Sequence, residues 1–474
     1  MGRLESNILV ISDLHLGEDL RAGTTGPSYL GGVVRLEQEL QSFLAHYTAQ
    51  RHDGRPWRLV VNGDMVDFMS VLIFPAAGPG PDGSARAEED REYGLGYGEG
   101  QSTEKLEQVL ERHAGVFRAL AAFVRAGNEL VVVVGNHDVE FHFASVQNCL
   151  VRGLVTHAGV GAEDEAAFRE RIRFCPWFYY EEGVVYVEHG HQYDEYCSFD
   201  YQLHPVEPRG GVALSIAHGC MRYFTNLVPS LDPRCGELWG FPEYMKWIWR
   251  HGARGLGRLL WLYVLLVYKL VGIRAGLTDR AGDLVRARRH RRRLRVLAKR
   301  SGIEFAKIQA LDGLHREPVI KRLFGIFSTL FIDRLLAGLV LVAGVVVALA
   351  VATGWHKLPF VGALLGGAVA LNWLLGRKRL LALASPAALR RAPEAIRRIL
   401  RAPFIVFGHS HLPERVPLLE GGTYYNTGTW ARSDGSELFP HLIINVGNTG
   451  ETGTGPSAEL RAWQQGTSNP LPSK

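Results

Sequence analysis

Five times in this chain a short run of apolar, largely β-branched residues stops abruptly at aspartate, asparagine or histidine. The segments are "NILVISDLHLG", "RLVVNGDMVDF", "ELVVVVGNHD", "GVVYVEHGHQYDEY" and "APFIVFGHSHLPE". Runs of this length and composition read as strands. Helical spacing separates the early ones, at residues 33–50 (Val33, Leu36, Leu40, Phe43, Leu44) and at about 103–126 (Leu106, Val109, Leu110, Phe117, Leu120, Phe123). Strand–helix alternation gives a layered α/β fold, with chemistry expected where the strands end. "TYYNTGTW", "HLIINV" and "ELRAWQQ" read as closing strands.

The polar turns themselves are Asp13-Leu14-His15, Gly63-Asp64-Met65-Val66-Asp67, Gly135-Asn136-His137-Asp138, His189-Gly190-His191 and Gly408-His409-Ser410-His411. In extended backbone residues i and i+2 point the same way, so Asp13 and His15 are expected to reach one point, as are His409 and His411. Imidazole and carboxylate together suit manganese, iron or zinc better than calcium or magnesium. Two cations about 3.5–4 Å apart need a shared carboxylate, and an aspartate straight after a glycine turn is placed to bridge them.

The order of these motifs resembles the calcineurin-like metallophosphoesterase family over roughly residues 6–200 and 402–447. The resemblance implies a four-layer α/β/β/α sandwich carrying two divalent metal ions, manganese first and iron or zinc next. It places Asp13, His15, Asp64 and His411 on one metal, and Asp64, Asn136, His189 and His409 on the other. His137 is then the residue that protonates the leaving group or stabilises phosphoryl charge, with Asp138 as its orienting partner. Asp67 falls between a supporting role and a turn role, and His191 and Asp194 between substrate contact and structural support. The implied chemistry is in-line attack on phosphorus by a hydroxide held between the cations. "ISDLHLG", "HGHQYD" and "GHSHLP" are most similar to the branch containing UDP-2,3-diacylglucosamine pyrophosphohydrolases, whose best-known members carry arginine where this chain has His137.

Between the fourth and fifth motifs the chain changes character. Residues 256–276 are apolar but interrupted by Arg258, Lys269 and Arg274, and residues 286–300, "RARRHRRRLRVLAKR", are densely basic. Residues 335–355 and 358–376 carry no charge and are joined by the short "GWHKLP". At about 1.5 Å per residue, some 20 such residues cross a hydrocarbon core of about 30 Å. The expected domains are 1–255 and 402–466 as two parts of one catalytic unit, 256–401 as a helical insertion with a transmembrane hairpin at about 335–354 and 358–376, and 467–474 as a disordered tail. Residues 78–101, rich in glycine, proline and charge, read as a loop or lid.

Motifs on either side of the insertion must converge, so the chain between them crosses a membrane an even number of times. The hairpin supplies two crossings, which leaves 256–276 buried or lying in the interface. Lys321, Arg322 and Arg334 precede the hairpin and Arg377, Lys378 and Arg379 follow it, so both flanks, and with them the catalytic unit, are expected on the cytosolic side. The arginine run is expected to meet anionic headgroups.

Composition adds bounds. With 474 residues, 47% apolar and 21% charged, the chain has material for a large core, and its formal charge of +5 is modest. Five cysteines without C-x-x-C spacing read as reduced thiols, and the N-terminus runs straight into a strand with no secretory pattern. The expected activity is that of a membrane-attached hydrolase of phosphate esters or pyrophosphates, on a phosphorylated small molecule or a lipid-linked or nucleotide-diphosphate substrate, with no nucleic-acid partner. The alternatives are a nuclease, for which the arginine run would track phosphates, and a catalytically silent membrane scaffold.

Overall fold

The computed structural model describes residues 6–21, 27–75, 85–207, 210–228, 241–351, 385–431, 438–447 and 455–471, with Gly362, Gly366 and Gly367. Twelve strands are described: β1 (Asn7–Ile11), β2 (Trp57–Asn62), β3 (Glu129–Val133), β4 (Ile172–Cys175), β5 (Phe178–Glu181), β6 (Val185–Glu188), β7 (Phe404–Phe407), β8 (Pro413–Pro417), β9 (Thr423–Thr427), β10 (Phe439–Asn445), β11 (Ser457–Gln464) and β12 (Thr467–Pro470). They form a seven-stranded sheet in the order β12-β11-β10-β1-β2-β3-β4 and a five-stranded sheet in the order β5-β6-β7-β9-β8. β1, β2, β3 and β4 run parallel, and so do β6, β7 and β9.

Alternation along the strands builds the layers. Leu9, Ile11, Leu59, Val61, Leu130 and Val132 pack against the helices Pro27–Ala49, Glu99–Arg112, Ala114–Arg125 and Ala144–Ala158 through Leu40, Phe43, Leu106, Phe117 and Leu150. The intervening Ile8, Val10, Val60, Val131 and Val133 point the other way and meet Tyr179, Val185, Val187, Val406 and Tyr425 of the second sheet. On that sheet's outer face Phe178, Tyr186, Ile405, Phe407 and Tyr424 are covered by Leu294, Ala298, Ile308, Leu311, Leu389 and Ile396. The result is an α/β/β/α sandwich. Its fourth layer is made by the helices Arg280–Ser301, Phe305–Asp312 and Ser385–Leu400, all expected to belong to a separate insertion.

Three expectations are corrected. Thr467–Pro470 is not a disordered tail but an edge strand paired antiparallel with β11, because Ser468 also bonds His441 and Arg461; residues 472–474 lie outside the described residues. The segment 78–101 is not one loop: Ala85–Tyr93 is helical and a second helix starts at Glu99, tied down by Tyr223 on Glu89 and Arg222 on Asp90. The boundary at residue 255 falls inside the helix Phe241–Leu277, whose one backbone break is at Gly252.

That helix is the one long and apolar enough, among the described residues, to cross a membrane by length and composition. Its surroundings argue that it lies alongside the domain instead. Leu266 and Leu270 pack with Ile216 and Tyr223, which precede it, and with Val319, Ile320 and Ile326, which follow it. The helix after it, Arg280–Ser301, covers the second sheet. Both ends are thus held on one body. Leu256, Leu260, Trp261, Val264 and Tyr268 face outward and exposed, so of the two expectations for this segment, buried or interfacial, burial applies to one face only. Ile332–Val351 forms a helix of 20 residues, about 30 Å long. The partner span at 358–376 lies, apart from three glycines, outside the described residues.

Candidate metal centre

The polar turns continue the parallel strands and zip to one another before any ligand-type side chain is placed. The amides of Asp13, His15 and Leu16 donate to the carbonyls of Gly63, Asp64 and Met65 at 3.1, 2.9 and 3.1 Å. The amide of Gly408 donates to His189 O at 2.9 Å, and those of Trp430 and Ala431 to Asp13 O at 3.2 and 3.0 Å. The carboxyl ends of β1, β2 and β3 in one sheet and of β6 and β7 in the other therefore meet at one place, where a layered fold puts its chemistry.

The backbone there is strained. Nine non-glycine residues have positive φ among the described residues, and five of them are Asp13, His15, Asp64, His409 and His411. Such conformations cost of order 1–3 kcal/mol each and cluster at functional sites. They also correct the extended-strand expectation. Asp13 Oδ1 and His15 Nε2 do approach, at 3.9 Å, but through left-handed turns (φ 55° and 47°). His409 and His411 do not reach one point: His411 joins Asp13 and His15, whereas His409 joins Asp194 and Cys197.

Asp64 is the centre of the arrangement. Its Oδ2 lies 3.1 Å from His189 Nε2 and 3.8 Å from His15 Nε2, and its Oδ1 accepts from the amide of His137 at 2.9 Å. Asp64 belongs both to a group with Asp13 and His189 and to a group with His15 and His137. His411 Nε2 is 3.2 Å from Asp13 Oδ1, and Asn136 Oδ1 is 3.2 Å from His189 Nε2. Two glycines permit this density. A Cβ on Gly135 would sit 2.2 Å from Asp64 Oδ1, and one on Gly63 would sit 2.3 Å from His189 Nδ1.

The residues fit a pair of divalent cations on three grounds. Asp13 Oδ1 and His15 Nε2 are buried without a hydrogen bond and lie 3.9 Å apart, and His15 Nε2 faces the Asp64 carboxylate at 3.8 Å. His189 Nδ1 is 2.9 Å from Asn62 O, which fixes the proton there and turns the Nε2 lone pair toward Asp64 and Asn136; that is how protein metal sites orient imidazole. Asp13, Asp64 and Asp67 are all buried, and among the described residues neither lysine nor arginine forms an ion pair with them. Buried carboxylates without a permanent counter-charge call for a cation.

Electrostatics follow the same geometry. Burial pushes the Asp64 carboxyl up, but His189, His137 and His15 hold it well below the ordinary range. Asp13 is likewise held down, by His189 and His411, against its burial. For His189 burial disfavours the charged ring, and Asp64 and Asp13 outweigh it, raising the pKa to about 9. Burial and then the charge of Asp64 lift Asp138 to about 7.

The expected pairing of His137 with Asp138 is corrected. Asp138 spends its oxygens on the backbone amides of Gly135 and Met65, at 2.6 and 2.8 Å, and so clamps the β2 and β3 turns together. The carboxylate on His137 is Asp67, whose Oδ1 lies 2.9 Å from Nδ1. His191 is buried against Gln192 and its ring is driven strongly toward the neutral form, first by burial and then by His189 and His409. Asp194 faces His409 at 3.2 Å.

Two features escaped the sequence. Cys197 stands beside Asp194 and His409, a relation that only a D-x-x-C spacing next to a histidine motif hinted at. Behind Asp67 a buried Lys105 donates to Phe68 O and Glu140 has no hydrogen-bond partner on either oxygen; burial lowers the lysine to about 7 and raises the acid to about 8. Compared with protein-family models, with curated proteins and with solved structures, the chain matches none.

Proposed function

We propose that this chain is a metal-dependent hydrolase of phosphate ester or pyrophosphate bonds that works at a membrane surface. The observation that carries the reading is Asp64, a buried carboxylate shared between two His/Asp groups at the meeting point of two sheets. The order of the five motifs, similar to that of the calcineurin-like metallophosphoesterases, supports the reaction class. That resemblance assigns Asp13, His15, Asp64 and His411 to one site and Asp64, Asn136, His189 and His409 to another. Two divalent cations, manganese before iron or zinc, would supply Lewis-acid polarisation of the phosphoryl group and acidification of water.

The protein's own residues do the rest. His15 and His189 present Nε2 to the shared carboxylate, and Asn62 O holds His189 in the tautomer that does so. Asp67 grips Nδ1 of His137, so the Nε2 of His137 would carry the proton to the leaving oxygen, a general-acid role that imidazole fills. Asp138 keeps the turn bearing Asn136 and His137 locked to the turn bearing Asp64.

The outward apolar face of Phe241–Leu277 and the apolar helix Ile332–Val351 support attachment to a bilayer, with the catalytic unit on the cytosolic side, where the basic flanks belong. A lipid-linked phosphate or pyrophosphate is the substrate class that such placement favours. The deciding experiment is hydrolysis of an aryl phosphate monoester and diester by detergent-purified protein, with manganese or with chelator, beside Asp64→Asn. Metal-dependent turnover that falls at least about 100-fold in the variant, beyond the loss typical of a supporting residue, is the expected result. Wild-type and variant proteins that bind manganese equally and show no turnover of esters or lipid pyrophosphates would leave the scaffold reading.

A further inference from the structure

A second cluster stands beside the proposed centre and shares His409 with it; its other two members lie on a turn the proposed reaction does not use. After β6 the chain makes a short helical turn at His191–Tyr193 and then folds around Asp194. The amides of Cys197 and Ser198 both donate to Asp194 O, at 3.1 and 2.8 Å, and the amide of Tyr196 donates to Asp194 Oδ1 at 2.9 Å. The turn brings the side chains of Asp194 and Cys197 together. Across from them, at the end of β7, His409 places Nε2 3.2 Å from Asp194 Oδ2. Ligand atoms of all three residues lie within 4.8 Å of one another. The side chains of Asp194 and His409 are 15% and 11% exposed, so an ion can enter from solvent.

We propose that Asp194, Cys197 and His409 form a third cation site, selective for a thiophilic divalent ion of the zinc class and coupled to the dinuclear centre through His409. The coupling rests on the reading of His409 as a ligand of that centre. One thiolate, one imidazole and one carboxylate with a fourth position open to water is a tetrahedral set of the kind zinc takes. Calcium and magnesium take oxygen ligands, and manganese sits lowest in the affinity order for such sites, so the site distinguishes the regulating ion from manganese, the working ion placed first. Binding forms metal–sulfur, metal–nitrogen and metal–oxygen bonds. It releases the thiol proton to solvent and shifts the single ring proton of His409 from Nε2 to Nδ1, with no change of oxidation state. A ring protonated on Nδ1 would have no lone pair left for the dinuclear centre, so the third ion would compete with that centre for His409. Zinc in excess of the working ions is expected to slow hydrolysis by this route.

Cobalt(II) is the probe, because a thiolate–cobalt bond gives a near-ultraviolet charge-transfer band that nitrogen and oxygen ligands do not. Full-length detergent-purified protein is stripped with chelator and titrated with cobalt, with bound metal counted independently. The expected result is three equivalents and a thiolate band in the wild type. Cys197→Ser and Cys197→Ala keep the visible ligand-field absorption of two equivalents, which shows that they fold, and lose both the band and the third equivalent. Asp64→Asn keeps the band. Two equivalents without a thiolate band, or a band that survives Cys197→Ser, would overturn the third site and leave Asp194 as an orienting partner of His409, with the dinuclear reading intact. Protein that binds no cobalt would remove both.

Discussion

Asp67 holds two histidines at once: its Oδ1 is 2.9 Å from Nδ1 of His137, and its Oδ2 is 3.7 Å from Nδ1 of His15. The carboxylate is buried, and although burial pushes its pKa up, His137 and His15 keep it far below the ordinary range. One residue outside the proposed ligand set thus orients a ligand and the proton carrier together.

Asp67→Asn keeps the shape and removes the charge. Neither imidazole then keeps a charged partner, and loss of such a supporting carboxylate lowers metal affinity or activity by about 10–100-fold. Manganese affinity and kcat measured on the same preparation check this. Unchanged values for both would reduce Asp67 to a turn residue.

Gly135→Ala tests how tightly the shared carboxylate is enclosed. The new methyl would meet Asp64 Oδ1 at 2.2 Å and Asp64 N at 2.6 Å. Forcing one carbon into packing of this density costs about 1–3 kcal/mol, and here the yielding group is the proposed bridge. The expected protein folds with a lower Tm and retains less metal after desalting. A variant that retains full metal would mean that Asp64 moves without consequence.

Acid stability is set in part away from the site. His441 is buried between Tyr47 Oη at 3.0 Å and Ser468 Oγ at 2.9 Å, and burial lowers its pKa to about 3. In the unfolded chain it binds a proton near pH 6.5. Between those values the unfolded state holds more protons, so stability is complete above about pH 6.5 and falls as pH drops toward 3, by about 1.4 kcal/mol per pH unit from this residue. Urea midpoints from pH 7 to 4.5 should show a shallower acid slope in His441→Gln. Parallel slopes would place the acid sensitivity elsewhere.

Membrane attachment separates into two strengths. An apolar face such as that of Leu256, Leu260 and Val264 holds a protein at the interface, whereas a spanning pair resists extraction. Membranes washed with alkaline carbonate are expected to keep the chain in the pellet and to yield it only to detergent. Release by carbonate alone would leave the exposed face as the anchor and remove the hairpin.

The sequence alone marked five strand ends and the residue types on them, because β-branched runs broken by Asp, Asn and His are local signals. It also marked the charge-free segments, which composition defines without reference to neighbours. What it did not carry was direction. The i, i+2 rule brought Asp13 and His15 together but misjudged the backbone, and it failed for His409 and His411, because left-handed turns at all four send side chains where alternation does not. The partner of His137 was likewise undecidable: Asp138 adjoins it in sequence, yet that carboxylate is drawn into backbone amides while Asp67 arrives from another strand.

The insertion shows the same division at larger scale. Its apolar, charge-free and basic segments were legible by composition, but that Arg280–Ser301 serves as a structural layer was not. The basic run conceals a buried stripe of Arg286, His290, Leu294 and Ala298 at four-residue spacing, two members of which are polar. In the interior Arg286 Nη2 donates to Leu277 O, and the two ring nitrogens of His290 are taken up by the amide of Leu203 and by Asp312. Sequence determined which segments form strands and helices and which chemistry they carry. Tertiary structure decided which side chains meet, because hydrogen-bond satisfaction, close glycine approaches and left-handed turns depend on chain segments far apart in sequence.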